Sequence, residues 1–403
     1  LQGLHRIGVL RRNIALSIYP FDFCWKILSV SGVSIRPENG YSAAAGRLIR
    51  PGGTRMGRQA VTIRDVAREA NVSVATVSRA LNGHSNVAEP VRKQVLEVAR
   101  RMRYSPHAAA RSLSSRSTQT VGVVLPDLHG EFFSELIRGI DARARSAGRH
   151  LLLSSYHGDP EEQAAALRAM RGRVDGLLVM SPYASRPGFL AENLPQPLPV
   201  VLINTRQDEP SWPAFEIDSH AGALAMTAHL LSLGHRHIAF IGGPEHNHDA
   251  SERLRGFRDA IAAHPGARGS EFPGDFDDAS GHRAGRAIAA AAERPDAVFA
   301  ANDMMAVGCH YAFAQAGIEV PGGIALAGFD DIPLARFIHP SLTTMRVSID
   351  ELGGSALKRL LALIEAGEPA VAERHVLVPE LVVRQSSGTQ RPAPTVPGEK
   401  KNS

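Results

Sequence analysis

Residues 62–82 read TIRDVAREANVSVATVSRALN. Thr62 stands three positions before Asp65, a Ser/Thr-x-x-acid pattern that caps a helix N-terminus from both directions. Ile63, Val66, Ala67 and Ala70 recur at helical spacing and form one apolar stripe on a short helix. Asn71 breaks the run, and Asn is the non-glycine residue best suited to a left-handed turn. Ser73 is a good N-cap for a second helix, with Val77, Ala80 and Leu81 facing inward and Ala75, Ser78, Arg79 and Asn82 outward. Two short helices, a tight turn and a polar outer face bearing one arginine make a helix-turn-helix. Its second helix is the groove reader.

The stretch resembles, nearly residue for residue, the DNA-binding headpiece of the lactose/galactose repressor (LacI/GalR) family. Asn71 departs from the glycine of many members, but it suits the same turn. Arg79 is the candidate for direct base contact, because arginine pairs bidentately with guanine. The resemblance makes Val74 and Ala75 the other readers, approaching base edges and thymine methyls. Thr62, Thr76, Ser78 and Asn82 then hold phosphates or orient their neighbours.

Charge agrees with a polyanionic partner for this end of the chain. Residues 57–118 carry 11 Lys/Arg against 4 Asp/Glu, a balance of +7, whereas residues 119–403 carry 26 against 34, or −8. A basic head on an acidic body fits nucleic acid rather than a membrane, since no apolar amphipathic face accompanies the charge. The two cysteines, Cys24 and Cys309, lack metal-type spacing and imply neither a disulfide framework nor a cysteine zinc site, which suits a reducing cytoplasm. His235, His237, His246 and His248 are expected at loop edges, solvated rather than metal-bound. No metal or cofactor is expected.

At 403 residues the chain suits a headpiece plus a core of one or two lobes. Within residues 1–55, Arg6, Arg11 and Arg12 precede an apolar-rich stretch, but Pro20, Asp22 and Lys26 interrupt it, so neither a signal core nor a membrane span is convincing. Met56, six residues before the headpiece, is the expected natural start, with 1–55 a leader without stable fold. The headpiece occupies 56–103. Its third helix opens near Pro90, with Val91, Val95, Val98 and Met102 as the inner stripe and Ala88 as a poor cap. Within the linker 104–118, YSPHAAARSL is too short to be a stable helix alone. The resemblance makes it a hinge helix formed when two subunits meet on DNA, with Leu113 wedged into the minor groove.

Beyond 119 short β-rich runs alternate with helical ones, the pattern of parallel sheets covered on both faces. Strands are expected at 121–125, 151–155, 176–180, 200–204 and 215–218, with helices at 132–146 and 160–171. A second set has strands at 237–241, 297–300 and 324–329, and helices at 251–264, 281–292, 303–316 and 349–366. The fold class is therefore α/β: an all-α headpiece and a two-lobed core over 119–386, with 340–348 crossing back to the first lobe. The polar, proline-rich tail is expected to be disordered from 385, with the domain boundary drawn at 387–403.

The resemblance extends over 62–386 through VGVVLPDL, RVDGLLVM, GHRHIAFIGGP, ERLRGF, AANDMMAVG, LAGFDD and HPSLTTMR. The family's core is similar to periplasmic sugar-binding proteins, which close two lobes on a small ligand. Ligands in open α/β sheets bind at strand carboxyl ends, and that rule alone selects Asn204, Asn302 and Asp330. The resemblance selects the same three and adds Phe132, Phe133, Asp249, Arg253 and Phe276. Asp and Asn suit sugar hydroxyls, Arg253 has a fork for two oxygens, and phenyl faces suit a pyranose. A purine-type ligand fits this Asn/Asp-rich set less well than a carbohydrate.

No Gly-x-Ser-x-Gly elbow, Walker loop or His-Glu-x-x-His is present, and the Asp277–Asp278 pair falls in an expected solvated loop. Catalysis is not expected. The reading is a homodimeric transcriptional regulator, of repressor type, that binds double-stranded palindromic operator DNA under control of a small effector. The absence of leucine heptads in the tail favours a dimer over the tetramers of some members. The alternative is a periplasmic sugar-binding transport protein, which has no use for a DNA reader.

Overall fold

The computed structural model describes residues 61–83, 85–104, 117–183, 186, 188–194, 197–205, 211–367 and 371–389. The expected leader over 1–55, nearly all of the hinge segment with Leu113, and the tail beyond 389 lie outside the described residues.

The headpiece is three helices, α1 (Ile63–Glu69), α2 (Val74–Leu81) and α3 (Glu89–Arg101). Asp65 Oδ2 accepts from the Thr62 N–H at 3.0 Å and from Thr62 Oγ1 at 2.7 Å, fixing the start of α1. Asn71 turns the chain at φ 50°, and Ser73 Oγ accepts the Thr76 N–H at 3.1 Å to cap α2. Ala88 offers α3 no side-chain cap, although Pro90 suits its first turn. Val66, Ala67, Ala70, Val77, Ala80, Val95 and Val98 meet in one small core, closed by Gln94 Nε2 donating to the Ala70 carbonyl at 3.2 Å.

The core contains two sheets of six strands each. The first runs β11-β5-β4-β3-β1-β2, from β1 (Thr120–Leu125), β2 (His150–Ser155), β3 (Gly176–Met180), β4 (Val200–Ile203), β5 (Ala214–Ile217) and β11 (Arg374–Leu377). The second runs β12-β10-β9-β8-β6-β7, from β6 (His237–Ile241), β7 (Arg268–Phe272), β8 (Ala297–Ala300), β9 (Ala325–Asp330), β10 (Thr343–Arg346) and β12 (Glu380–Val382). All neighbours are parallel except β10 and β12. Strands β3, β4, β8 and β9 are buried along their whole length, as parallel strands covered on both faces must be.

The helices of the first lobe are α4 (Glu131–Ser146), α5 (Pro160–Ala169) and α6 (Phe189–Asn193). Those of the second are α7 (Ser219–Ser232), α8 (His248–Ala262), α9 (Asp278–Ala289) and α10 (Asp303–Gln315). The last helix, α11 (Ile349–Ala366), returns to the first lobe and packs on α4, β3 and β4. Helices α9 and α10 approach so closely that a Cβ at Gly281 would overlap the Met305 carbonyl and one at Gly308 the Asp278 carbonyl. Three crossovers, at 218, 347–348 and 378–379, join the lobes. Two of them are tied together where the Asp218 N–H donates to the Leu377 carbonyl at 2.8 Å.

Several expectations are corrected here. Residues 340–348 are not a simple crossing, because Thr343–Arg346 is a strand of the second sheet. Strands β7, β11 and β12 and helices α6 and α7 were not anticipated. The chain is ordered through 385–387, where Ser386 and Ser387 are buried and Ser386 Oγ donates to the Leu326 carbonyl at 2.6 Å. His235 is buried and His237 lies in β6, within 3.2 Å of Ser270 Oγ, so neither is a solvated loop residue. Asp277 is not in a solvated loop either: it caps α9 by accepting the Ser280 N–H at 2.7 Å.

Candidate functional site

The outer face of α2 carries the residues selected for DNA. Val74, Ala75, Arg79 and Asn82 are exposed, with Thr76 and Ser78 half-buried beside them and Thr62 exposed at the start of α1. Thr76 Oγ1 lies 2.9 Å from Ser73 Oγ, so its hydroxyl also helps hold the turn. Asn82 Nδ2 reaches Ser78 Oγ at 3.5 Å. No ion pair holds Arg79 among the described residues, which leaves its fork available to a base edge.

A cavity of about 740 Å³ opens at the carboxyl ends of both sheets, between the lobes. Phe132, Phe133, Asn204, Asp249, Arg253, Phe276, Asn302 and Asp330 all line it. Phe132 and Phe133 come from the first turn of α4, packed edge to face with centroids 5.5 Å apart. Asn204 follows β4 at φ 41°, and its Oδ1 accepts the Ile217 N–H at 3.0 Å, leaving its amide NH2 free of that bond. The second lobe supplies the other five, from α8, the loop before α9, and the ends of β8 and β9.

Arg253 is the centre of this group. Its Nη1 donates to the Ala301 carbonyl at 2.5 Å, Nη2 to Asp330 Oδ1 at 3.3 Å and Nε to Ser219 Oγ at 3.4 Å. Its guanidinium carbon sits 3.8 Å above the Phe329 ring and 5.6 Å from the Phe276 ring. The fork read as free for two ligand oxygens is thus largely engaged by the protein itself. Asn302 is likewise committed: Oδ1 caps α10 through the Met305 N–H at 2.9 Å, and Nδ2 donates to the Phe276 carbonyl at 2.8 Å. That second bond holds Phe276 in its left-handed conformation, φ 64°.

The carboxylates feel this burial. Burial pushes Asp330 up to about 6, with Arg253 opposing and the charge of Asp249 adding to the rise. Asp249, which accepts from Ser219 Oγ at 3.1 Å, is also raised by burial, against the pull of Arg253. Behind the cavity Asp303 is held well above the usual carboxylate range, first by burial and then by Asp330. It accepts from Thr344 Oγ1 at 2.6 Å and the Ile332 N–H at 3.0 Å.

Sequence reasoning missed Asp303, Asp331, Phe329 and Ser219, which support the cavity, and Tyr183 and Asn247, which line it. The adjacency of Asp303 to Asn302 and of Asp331 to Asp330 was the available signal. Among the described residues no group of three or more His, Cys, Asp or Glu side chains is arranged to hold a metal, and no helix is long and apolar enough to cross a membrane.

A helix-turn-helix followed by two parallel-sheet lobes around a cavity defines a DNA-binding regulator with a ligand-binding type of core. Residues 62–107 match the bacterial regulatory proteins of the lacI family, and residues 227–387 match the periplasmic binding protein-like domain. The chain is 34% identical over 304 residues to catabolite control protein A of Priestia megaterium, covering 74% of this chain and 91% of that protein. It is 35% identical over 330 residues to the ribose operon repressor of Escherichia coli, covering 81% and 99%. Among solved structures, the lac repressor dimer bound to operator and the anti-inducer ONPF superposes with a TM-score of 0.73 at 26% identity, covering 82% of this chain and all of that one. The chain belongs to the lacI family of bacterial regulatory proteins, and is a DNA-binding transcriptional regulator. The alternative of an exported sugar carrier is not favoured, since the headpiece itself matches.

Proposed function

We propose that the chain represses transcription as a homodimer on a palindromic operator, and that a sugar effector in the interlobe cavity controls it. The observation that carries the effector half is the convergence of eight chosen residues, from both lobes, on one cavity. The ribose operon repressor and the operator-bound lac repressor dimer support the repressor half by likeness. In this reading Arg79 contacts a base, Val74 and Ala75 pack against base edges, and Thr62, Thr76, Ser78 and Asn82 serve phosphates. Leu113 fills the minor groove. Effector binding alters the angle between the lobes, and so the spacing of the two reading heads. Such control requires the effector to prefer one lobe arrangement, and couplings of about 1–3 kcal/mol are usual.

The test is selection of bound sequences from random duplex DNA by the full chain, followed by binding titrations with and without sugars. A two-fold symmetric site whose affinity shifts with one sugar is expected. An asymmetric site would remove the dimer from the reading, and insensitivity to every sugar would remove the effector.

A further inference from the structure

The cavity carries six carboxylates, of Asp127, Glu131, Glu245, Asp249, Asp275 and Asp330, against one guanidinium, that of Arg253, and three imidazoles, of His129, His157 and His246. No lysine is among its described lining residues. The guanidinium is largely engaged inside the protein, on Asp330, the Ala301 carbonyl, Ser219 and the Phe329 face. Helix N-termini, the usual substitute for a cation, are largely satisfied here as well. Asn247 caps α8 through the Ala250 N–H at 3.1 Å, and Asn302 caps α10. Among the described helices that begin at the cavity, α4 starts without a side-chain cap, at Gly130, and its first turn already holds the carboxylate of Glu131. Asp127 is turned onto the N–H groups of Leu128 and His129, at 2.6 and 3.0 Å.

Carboxylates only accept hydrogen bonds, so this wall asks for a ligand rich in donors. Hydroxyls supply them, and the phenyl faces of Phe132, Phe133 and Phe276 suit the C–H face of a sugar ring. A phosphoryl or carboxylate group would bring further acceptors and a further negative charge, with only the engaged guanidinium and three imidazoles to meet it among six carboxylates. The charge of Asp249 already raises the proton affinity of Asp330, and an incoming anion would add to that cost.

We infer that the cavity takes an uncharged, hydroxyl-rich saccharide and rejects its phosphorylated and carboxylated derivatives. The inference rests on the reading of this cavity as the effector site.

The test is calorimetric titration of the full chain with matched sets: glucose, glucose 6-phosphate and glucuronate; ribose and ribose 5-phosphate; lactose, cellobiose and their 6-phosphates. At least one neutral sugar is expected to bind, with its anionic derivative at least about tenfold weaker. Asp275→Lys, an exposed change at the mouth, is expected to narrow that ratio while leaving the melting temperature unchanged. An anionic derivative that binds as tightly as its neutral parent would overturn the charge argument and leave the effector site standing. No binding by any member would overturn both.

Discussion

Asp330 and Asp331 are neighbours in the chain, yet their carboxylates are committed to different partners. Asp330 accepts from Arg253 at 3.3 Å beside the cavity. Asp331 takes Arg346 Nε at 2.7 Å, Arg384 Nη2 at 2.5 Å and, more loosely, Arg336 at 3.7 Å. Arg346 ends β10, just before the crossover at 347–348, and Arg384 lies beyond the one at 378–379. Both aspartates have positive φ, 113° and 55°, a pairing that needs strong side-chain bonds to hold it. One dipeptide therefore touches both the cavity and two of the chain's interlobe connections.

Removing the Asp331 carboxylate should leave Arg384, which is mostly buried, without its partner. We expect Asp331→Ala to cost about 3 kcal/mol in urea unfolding, the lower end for breaking a buried ion pair. Arg336→Ala, at the exposed 3.7 Å contact, should cost less than about 1 kcal/mol. Equal effects would mean that the arginines do not differ in their hold on Asp331.

Asp330 makes stability depend on pH in a stated direction. Its folded-state value of about 6 lies above the ordinary 3.8, so its contribution is fully present below about pH 4 and lost as pH rises through 6. The loss is roughly 3 kcal/mol from this group. Unfolding of Asp330→Asn between pH 4 and 7.5 should therefore show a smaller fall in stability than the parent. Parallel curves would show that Asp330 titrates alike in both states.

The left-handed turn of the headpiece makes Asn71→Val costly, by about 1–2 kcal/mol, because a β-branched residue resists φ 50°. Asn71→Gly should be close to neutral. Thermal unfolding together with DNA titration of the full chain checks both. A Val variant as stable as the parent would mean that the turn relaxes elsewhere.

At the α9–α10 contact, Gly308→Ala places a methyl against the Asp278 carbonyl, and backbone cannot yield as a side chain does. A loss of about 1–3 kcal/mol is expected. Gly317→Ala, at φ 68° with open space around it, should cost about 1 kcal/mol from backbone strain alone. Chemical denaturation ranks the two, and a reversed order would refute the packing argument.

On DNA, Arg79→Ala should relax preference at one operator position by about 1–3 kcal/mol. A uniform loss across all sequences would reduce Arg79 to a phosphate contact.

The headpiece was legible because each local signal acts alone: a capping pair at Thr62 and Asp65, a turn residue at Asn71, an N-cap at Ser73. Fully buried strands such as β3 and β8 were legible for the same reason, being short apolar runs. Helix α7 escaped because Leu224, Ala225 and Ala228 stand on the face opposite the buried Gly222, Ala223, Met226 and Leu230, leaving no polar face to set a period. The edge strands β7, β11 and β12 carry polar, exposed residues, and only their neighbours make them strands. At the cavity, strand ends pointed to Asn204, Asn302 and Asp330. That Arg253 would be spent on Asp330 and Ala301 depends on residues 48 and 77 positions away, a relation no local pattern carries.

The three crossovers also set an order of assembly. The first sheet takes its edge strand β11, and α4 its partner helix α11, from segments made after most of the second lobe. The second sheet in turn waits for β12, and Ser386 must return to Leu326. As the chain leaves the ribosome, neither lobe can be finished before nearly all of it has emerged. A chain stopped at 346 would own two incomplete sheets rather than one complete lobe, so the two lobes reach completion together or not at all.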